Sequence, residues 1–168
     1  DVVIYGIWEG TNFIQAQDFT GRKFTMNDGA PFKKWVAEID EFVAGKKTDE
    51  FAAEFAMMAD AMVAFKSIVD MNAAWTTGDR QMKQLFATRT MHSAARVYCG
   101  MLLLDQAVLA AKKLKELGDS HFDANFYKGK IASARFYIMN HVTDIFGFEK
   151  SMKSGDRSSI DIPEESFM

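Results

Sequence analysis

Three apolar stripes at helical spacing dominate the pattern of hydrophobic and polar positions along the chain. The first stripe consists of Phe51, Phe55, Met58, Met62, Phe65 and Val69. The second consists of Val97, Met101, Leu104 and Val108, and the third of Tyr127, Ile131, Ala134, Ile138, Val142 and Ile145. Steps of three and four residues place side chains on one face of an α-helix. The stripes therefore predict three long helices, near residues 49–75, 79–117 and 122–146.

Capping signals mark the expected ends of these helices. Thr48, Asp49 and Asp79 precede the first two stripes and are candidate N-caps. Gly118 and Gly147 follow the second and third stripes and are candidate C-terminal ends. Breaks near residues 78 and 118 are short, so consecutive helices are expected to lie antiparallel. The predicted fold is all-α, an up-and-down antiparallel helical bundle with an N-terminal helix-entry segment.

Shorter elements are expected on either side of the bundle. A helix is predicted over 15–23, and another from Pro31 to about Val43 that ends at the run 45–47. The stretch 31–163 contains no proline between its two ends and no strand pattern, which supports the all-α prediction. The polar stretch 153–159 predicts a mobile tail.

Composition and charge argue against a nucleic-acid-binding, membrane-spanning or secreted protein. The 168 residues carry a formal net charge of −3, which gives no basic excess for binding nucleic acid. We found no apolar run close to the roughly 18–20 residues that span a bilayer, and no secretory signal pattern, so a cytoplasmic protein is expected. The single cysteine, Cys99, lies in an apolar stretch and is predicted to be a buried small hydrophobe. The abrupt start at Asp1, without Met, predicts a fragment.

The histidines give no sign of a metal centre. A di-iron bundle needs a Glu-x-x-His pair on each of two helices. The residues three positions before His92, His121 and His141 are Arg, Gly and Ile, so that pair is absent. We expect no metal site, with His92 and His141 at a helix seam and His121 at the surface or at a helix start.

The strongest candidate for chemistry is the segment around Glu9. Its carboxyl group stands between Trp8 and Gly10, and a large apolar neighbour raises a carboxyl pKa into the range of a general base. Gly10 allows a ligand to approach the backbone. Thr11 or Asn12 is expected to cap the following helix. The alternative interpretation is that Glu9 merely precedes a capped helix.

Residues 5–16, with the sequence YGIWEGTNFIQA, resemble the Tyr-Glu-Gly-Thr-Asn-Gly-Ile-Gln signature of acyl-CoA dehydrogenases. Asp18 and residues 21–23, Gly-Arg-Lys, continue the match. Residues 126–137 and 162–167 resemble the C-terminal extension of the large, 3-methylmercaptopropionyl-CoA dehydrogenase-like subgroup. This sequence departs from the pattern at Trp8, where Tyr is usual, and at Phe13, where the subgroup has Gly.

The resemblance implies an FAD-dependent enzyme that dehydrogenates an acyl-CoA thioester. It assigns the catalytic base to Glu9, a substrate contact to Gly10 and contacts with FAD to Thr11, Asn12 and Phe13. Phe13 cannot donate a side-chain hydrogen bond to the cofactor, so stacking on the ligand or packing on the bundle is expected instead. An electron-transfer acceptor and a homo-oligomeric assembly are the expected partners.

The resemblance also implies a division of the chain. Residues 1–25 are expected to be the tail of the catalytic helical domain, residues 26–150 a helical bundle extension, and residues 151–168 a C-terminal tail. The flavin and CoA pockets of the family need further domains, so the isolated chain is expected to be inactive and to hold no FAD. The alternative function is a non-catalytic helical bundle that serves oligomer or partner contacts.

Overall fold

The computed structural model describes residues 11–45 and 48–167, which form helices joined by short turns, with no β-strand in those ranges. The α-helices are α1 (Asn12–Asp18), α2 (Ala30–Gly45), α3 (Ala52–Thr77), α4 (Arg80–Leu117), α5 (Ala124–Tyr137), α6 (Asp144–Lys153) and α7 (Ser158–Asp161). Short 3-10 turns lie at Met26–Gly29, Asp49–Phe51 and Glu164–Phe167, and π-helical turns at Phe19–Lys23 and Ile138–Val142. The all-α prediction is confirmed.

The core lies between α3, α4 and the α5–α6 arm, and α4 contacts all the other long helices. Its largest fully buried side chains come mainly from the predicted stripes: Phe51, Phe55, Phe65, Ile39, Met58, Met62, Ile68, Leu104, Ile138, Ile145, Met152 and Val97. Burying one such side chain stabilises the fold by roughly 1.5–3 kcal/mol. The stripes therefore identify the surfaces on which the helices pack.

Two predicted helix ends make the hydrogen bonds expected of helix caps. The Asp79 carboxylate accepts a hydrogen bond from the backbone N–H of Met82 at 3.2 Å and caps α4. Gly118 ends α4 with φ +82°, and its N–H donates to the carbonyl of Leu114 at 2.9 Å. Thr48, one of the two candidates before the first stripe, is the N-cap residue of the turn that leads into α3, but its side chain makes no capping hydrogen bond there.

Helix α6 runs through Gly147, so the prediction that the third helix ends there is wrong. Ile145, Phe148 and Met152 are buried and continue the apolar stripe past the glycine. A glycine inside a helix costs about 1 kcal/mol relative to alanine. The burial of Phe148 and Met152 outweighs that penalty, and the helix ends at Lys153.

Cys99 is exposed, so the prediction of a buried thiol is wrong. The buried side of α4 in this stretch carries Val97, Gly100 and Leu104. Cys99 is one residue before Gly100, about 100° round the helix from it. An apolar stretch on a helix contains exposed positions whenever only one face of that helix is covered.

Gly100 lies where α4 comes close to its neighbours. An added Cβ would lie 2.7 Å from the Met58 sulfur and 3.2 Å from a Val142 methyl group. These two residues belong to α3 and to the turn after α5. A hydrogen in place of a side chain is what permits this three-way contact.

The segment after α6 lies against the bundle. The Arg157 guanidinium pairs with the Asp79 carboxylate at the start of α4, and also with Asp161 at 3.0 Å. Ile160 packs on the core cluster. The predicted mobility of 153–159 stays a prediction, although two of the residues that follow Lys153 are tied to the bundle.

Among the described residues, α4 is long and apolar enough to cross a membrane by length and composition. In its most apolar window, 39% of the residues are buried inside the bundle. A core helix of a soluble bundle passes the same test, so this is weak evidence for a span. The expectation of no membrane span stays a prediction.

Candidate functional site

The structure describes the candidate segment around Glu9 from Thr11 onwards. Glu9 and Gly10 lie outside the described residues. Thr11 has left-handed backbone angles, φ 56° and ψ 51°, and its carbonyl accepts a hydrogen bond from the N–H of Gln15 at 3.1 Å. Thr11 is the N-cap residue of α1, one of the two predicted alternatives, but its side chain makes no capping hydrogen bond to the helix.

Two small residues fix α1 on the bundle. Ala16 is fully buried and Thr20 is 2% exposed, and α1 packs against α4. The Thr20 hydroxyl donates to the carbonyl of Ala16 at 2.9 Å, so this buried polar group is satisfied within its own helix. Small side chains allow α1 to approach α4 closely, and they set the position of the residues at its start.

An unbroken series of ring contacts connects the end of α1 to the core. The Phe19 and Phe24 rings are 5.1 Å apart, Phe24 and Phe32 are 4.2 Å apart, and Phe32 and Trp35 are 5.6 Å apart. The Trp35 ring lies 6.0 Å from the buried ring of Phe65 on α3. Aromatic pairs at these distances add about 0.5–1.5 kcal/mol beyond burial. The cluster therefore anchors α1 and α2 together on α3.

Three side chains at the start of α1 are exposed. Thr11, Asn12 and Phe13 are all exposed, with Phe13 at 48%. A hydroxyl group and a carboxamide can hydrogen-bond to phosphate or ribose oxygens, and an exposed ring can stack on a flat ligand. This set of side chains is compatible with part of an FAD contact. It contains no group that could accept a hydride.

A salt bridge joins Asp18, at the end of α1, to Arg22 in the following π-helical turn. Arg22 donates to the Asp18 carboxylate at 2.6 and 3.0 Å. This hydrogen bond from Arg22 lowers the pKa of Asp18 below its ordinary value. Asp18 therefore stays ionised at neutral pH and is not suited to take up a proton.

Two cavities adjoin the π-helical turn after α1. The larger, about 670 Å³, lies between this turn, α2 and α3, and its lining is mainly apolar with the Asp40–Lys66 ion pair at its edge. The smaller, about 360 Å³, lies between the same turn and the junction of α3 and α4. Thr20 and Thr76 line both cavities.

The smaller cavity contains the cations Arg80 and Lys83, which sequence analysis did not single out. They occupy positions i and i+3 in the first turns of α4, without an acidic residue between them. This i, i+3 spacing of two cations indicates a positively charged helix face and can be recognised in the sequence. Their proximity to α1, some sixty residues earlier in the chain, is a property of the fold alone.

A further surface groove, separate from these two cavities, contains both histidines that were expected at a helix seam. His92, Arg96, Tyr137 and His141 line a cavity of about 330 Å³ between α4 and the α5–α6 arm. Burial raises the pKa of Tyr137, and the neighbouring Cys99 thiol adds to the shift. Within 11–45 and 48–167 no group of three or more His, Cys, Asp or Glu side chains could hold a metal ion.

Comparisons with known proteins place the chain in one family. The family described as "Acetyl-CoA dehydrogenase C-terminal like" matches residues 35–163, from α2 to the end of the helical region. This range includes all of α3, α4, α5 and α6. The match therefore rests on the helical bundle itself.

Three curated relatives agree with that match. Two proteins from Syntrophomonas wolfei subsp. wolfei, each named butyryl-CoA dehydrogenase, are 70% and 60% identical over the whole chain. A broad-specificity linear acyl-CoA dehydrogenase from Mycobacterium tuberculosis, FadE5, is 28% identical over 99% of it. The chain spans 28% of the length of each of these relatives. By its bundle and its relatives, the chain belongs to the acetyl-CoA dehydrogenase C-terminal-like family of acyl-CoA dehydrogenases.

Proposed function

We propose that this chain is the C-terminal part of an FAD-dependent acyl-CoA dehydrogenase, in which Glu9 removes the α-proton of an acyl-CoA thioester. The observation that carries the proposal is the Trp8-Glu9-Gly10-Thr11-Asn12 motif directly before α1, in a chain whose bundle matches the family over residues 35–163. The relatives named above are dehydrogenases of acyl-CoA thioesters, which supports an acyl-CoA as the substrate class.

The proposed role of Glu9 is that of a general base. A carboxylate is a weak base in water, and it becomes stronger where burial disfavours its charge. Trp8, adjacent to Glu9 in sequence, would supply apolar surface, and the bound acyl chain would exclude water further. The proton passes to the Glu9 carboxylate as the α-carbon loses its C–H bond. Bound FAD supplies an acceptor for the hydride that leaves the β-carbon.

Other residues of the segment have binding roles in this proposal. Gly10, which has no side chain, lets the substrate lie against the backbone. The Thr11 hydroxyl and the Asn12 carboxamide hold phosphate and ribose oxygens of FAD, and the exposed Phe13 ring stacks on the ligand. The anchoring of α1 through Ala16 supports these positions, because Ala16 is fully buried.

The test is Glu9→Gln in the full-length enzyme. Gln has the size of Glu but accepts no proton at useful pH, so turnover should fall by roughly 10²–10⁴-fold or more while FAD remains bound. Turnover is measured with a dye acceptor, and FAD content by absorbance. Glu38→Gln is the matched control, since Glu38 is an exposed carboxylate on α2 with only a 4.0 Å pair to Lys34. Near-normal turnover of Glu9→Gln would show that another group is the base.

The second candidate function is a non-catalytic bundle that makes oligomer or partner contacts. Its support is the set of large apolar side chains on the surface, which includes Phe122 at 95%, Val63 at 67% and Leu109 at 58% exposure. Exposed apolar area favours association. Flavin content and solution mass of the full-length protein separate the two candidates. Yellow protein with bound flavin supports the enzyme, and a colourless oligomer supports the contact module.

We place the enzyme in the cytoplasm as a homo-oligomer that passes electrons to an electron-transfer acceptor. Residues 1–25 belong to the catalytic helical domain in this proposal, residues 26–150 form the extension, and residues 151–168 form the tail. The 168-residue chain by itself should show neither flavin colour nor dehydrogenation.

A further inference from the structure

The smaller cavity beside α1 has the composition of an anion site. Its volume is about 360 Å³, and it is lined by Gln17, Thr20, Gly21, Thr76, Arg80, Lys83, Gln84 and Ala87. Two of these side chains are cationic and none is acidic. Three elements contribute, because α1 and its π-helical turn form one wall, the end of α3 another and the start of α4 the third.

The two cations have no negative partner within the part of the chain that the structure describes. The Lys83 ammonium donates to the Thr76 hydroxyl at 2.8 Å. The nearest carboxylate in sequence, Asp79, is engaged with Arg157 and with the N–H of Met82. Most other basic side chains of the bundle have acidic partners, for example Lys66 with Asp40. Among the described residues, the two positive charges of this cavity therefore have no acidic partner.

The electrostatic state of Lys83 agrees with this geometry. Burial lowers its pKa below the ordinary lysine value, and the positive charge of Arg80 lowers it further. A lowered lysine pKa means that the charged form is disfavoured in this place. An anion in the cavity would reverse the effect, because a nearby negative charge raises a lysine pKa.

We propose that this cavity binds a phosphate group. Two cations match the charge of a phosphate dianion, whereas a single carboxylate would leave one cation unpaired. Arg80 offers a planar guanidinium that can donate two parallel bonds to phosphate oxygens, and Lys83 offers a point charge. The Gln17 and Gln84 carboxamides are neutral donors for the remaining oxygens. The phosphate is either free or part of a larger ester, and the affinity of each form can be compared directly.

The experiment measures anion binding to the 168-residue chain by calorimetry at constant ionic strength. The probes are inorganic phosphate, adenosine 3′,5′-bisphosphate as a phosphate ester, and acetate as a carboxylate. We expect both phosphate probes to bind more tightly than acetate. Tighter binding of the bisphosphate than of inorganic phosphate favours an ester as the ligand, and the reverse order favours free phosphate. Acetate that binds as well as either phosphate probe would overturn the proposal.

Variants then locate the site. Arg80→Gln and Lys83→Gln should each weaken phosphate binding at least tenfold, while Lys34→Gln, an exposed lysine on α2, should leave it unchanged. In parallel, phosphate should raise the Lys83 pKa measured by NMR in the unmodified chain. An unchanged Lys83 pKa at saturating phosphate, or equal losses in all three variants, would refute the site. Neither readout uses flavin or dehydrogenation, so the result is independent of the role of Glu9.

Discussion

The contact at Gly100 allows a quantitative test of how α4 packs on its neighbours. Gly100→Ala adds one methyl group at a buried position in the middle of a 38-residue helix. In an exposed helix interior the same change is stabilising by about 1 kcal/mol, because alanine has the higher helix propensity. Here the new Cβ would meet the Met58 sulfur at 2.7 Å and the Val142 methyl group at 3.2 Å.

Both neighbours of that Cβ are fully buried, so neither has open space into which to move. Overpacking a core by one methylene group typically costs roughly 1–3 kcal/mol. Set against the propensity gain of about 1 kcal/mol, the net effect is a loss of about 1 kcal/mol in the free energy of unfolding. Gly129→Ala is the matched control, since Gly129 is exposed in α5 and an added Cβ there meets nothing within 4 Å. That variant should be more stable than the parent chain.

Urea unfolding followed by circular dichroism at 222 nm measures both variants. A double-mutant cycle with Met58→Ala adds a second check, because removal of the thioether opens the space that the new methyl group needs. In the Met58→Ala background, Gly100→Ala should become stabilising. If Gly100→Ala stabilises the parent chain as much as Gly129→Ala does, then α4 does not approach α3 as closely as described.

Three further variants test single interactions by the same unfolding assay. Asn72 is fully buried and its carboxamide has no partner among the described residues. Asn72→Leu should therefore stabilise the chain by about 1–2 kcal/mol. A loss of stability would mean that the amide has a partner. Glu54 is buried and pairs with the half-exposed Arg135 at 3.0 Å. Arg135→Gln should therefore lower the free energy of unfolding by about 1–2 kcal/mol, and adding Glu54→Gln should recover much of that loss. Additive losses in the double variant would contradict the pairing. The hydrogen bond from Lys153 lowers the pKa of Glu149, so its stabilisation is present above the ordinary glutamate pKa and is lost as the pH falls through the lowered one. Glu149→Gln should therefore be less stable than the parent by about 0.3–0.5 kcal/mol at neutral pH and equal to it in strong acid, and a difference independent of pH would refute this origin.

Local signals in the sequence determined the helices and much of the core. The apolar stripe from Phe51 to Phe65 specifies one buried face because steps of three and four residues follow the helix period. The Asp79 cap and the Gly118 end depend on groups within four residues, so they too can be identified from the chain alone. The motif around Glu9 is equally local, and it suggests the family from the sequence alone.

Only the tertiary structure decided which helix faces are covered. Cys99 is exposed and Gly147 lies inside a helix because packing partners distant in sequence cover the faces that carry Val97, Phe148 and Met152. The pocket of Arg80 and Lys83 exists because α1, some sixty residues earlier, packs beside the start of α4. Periodicity records which side of a helix is apolar, but burial and charge compensation arise between residues that the chain brings together only when it folds.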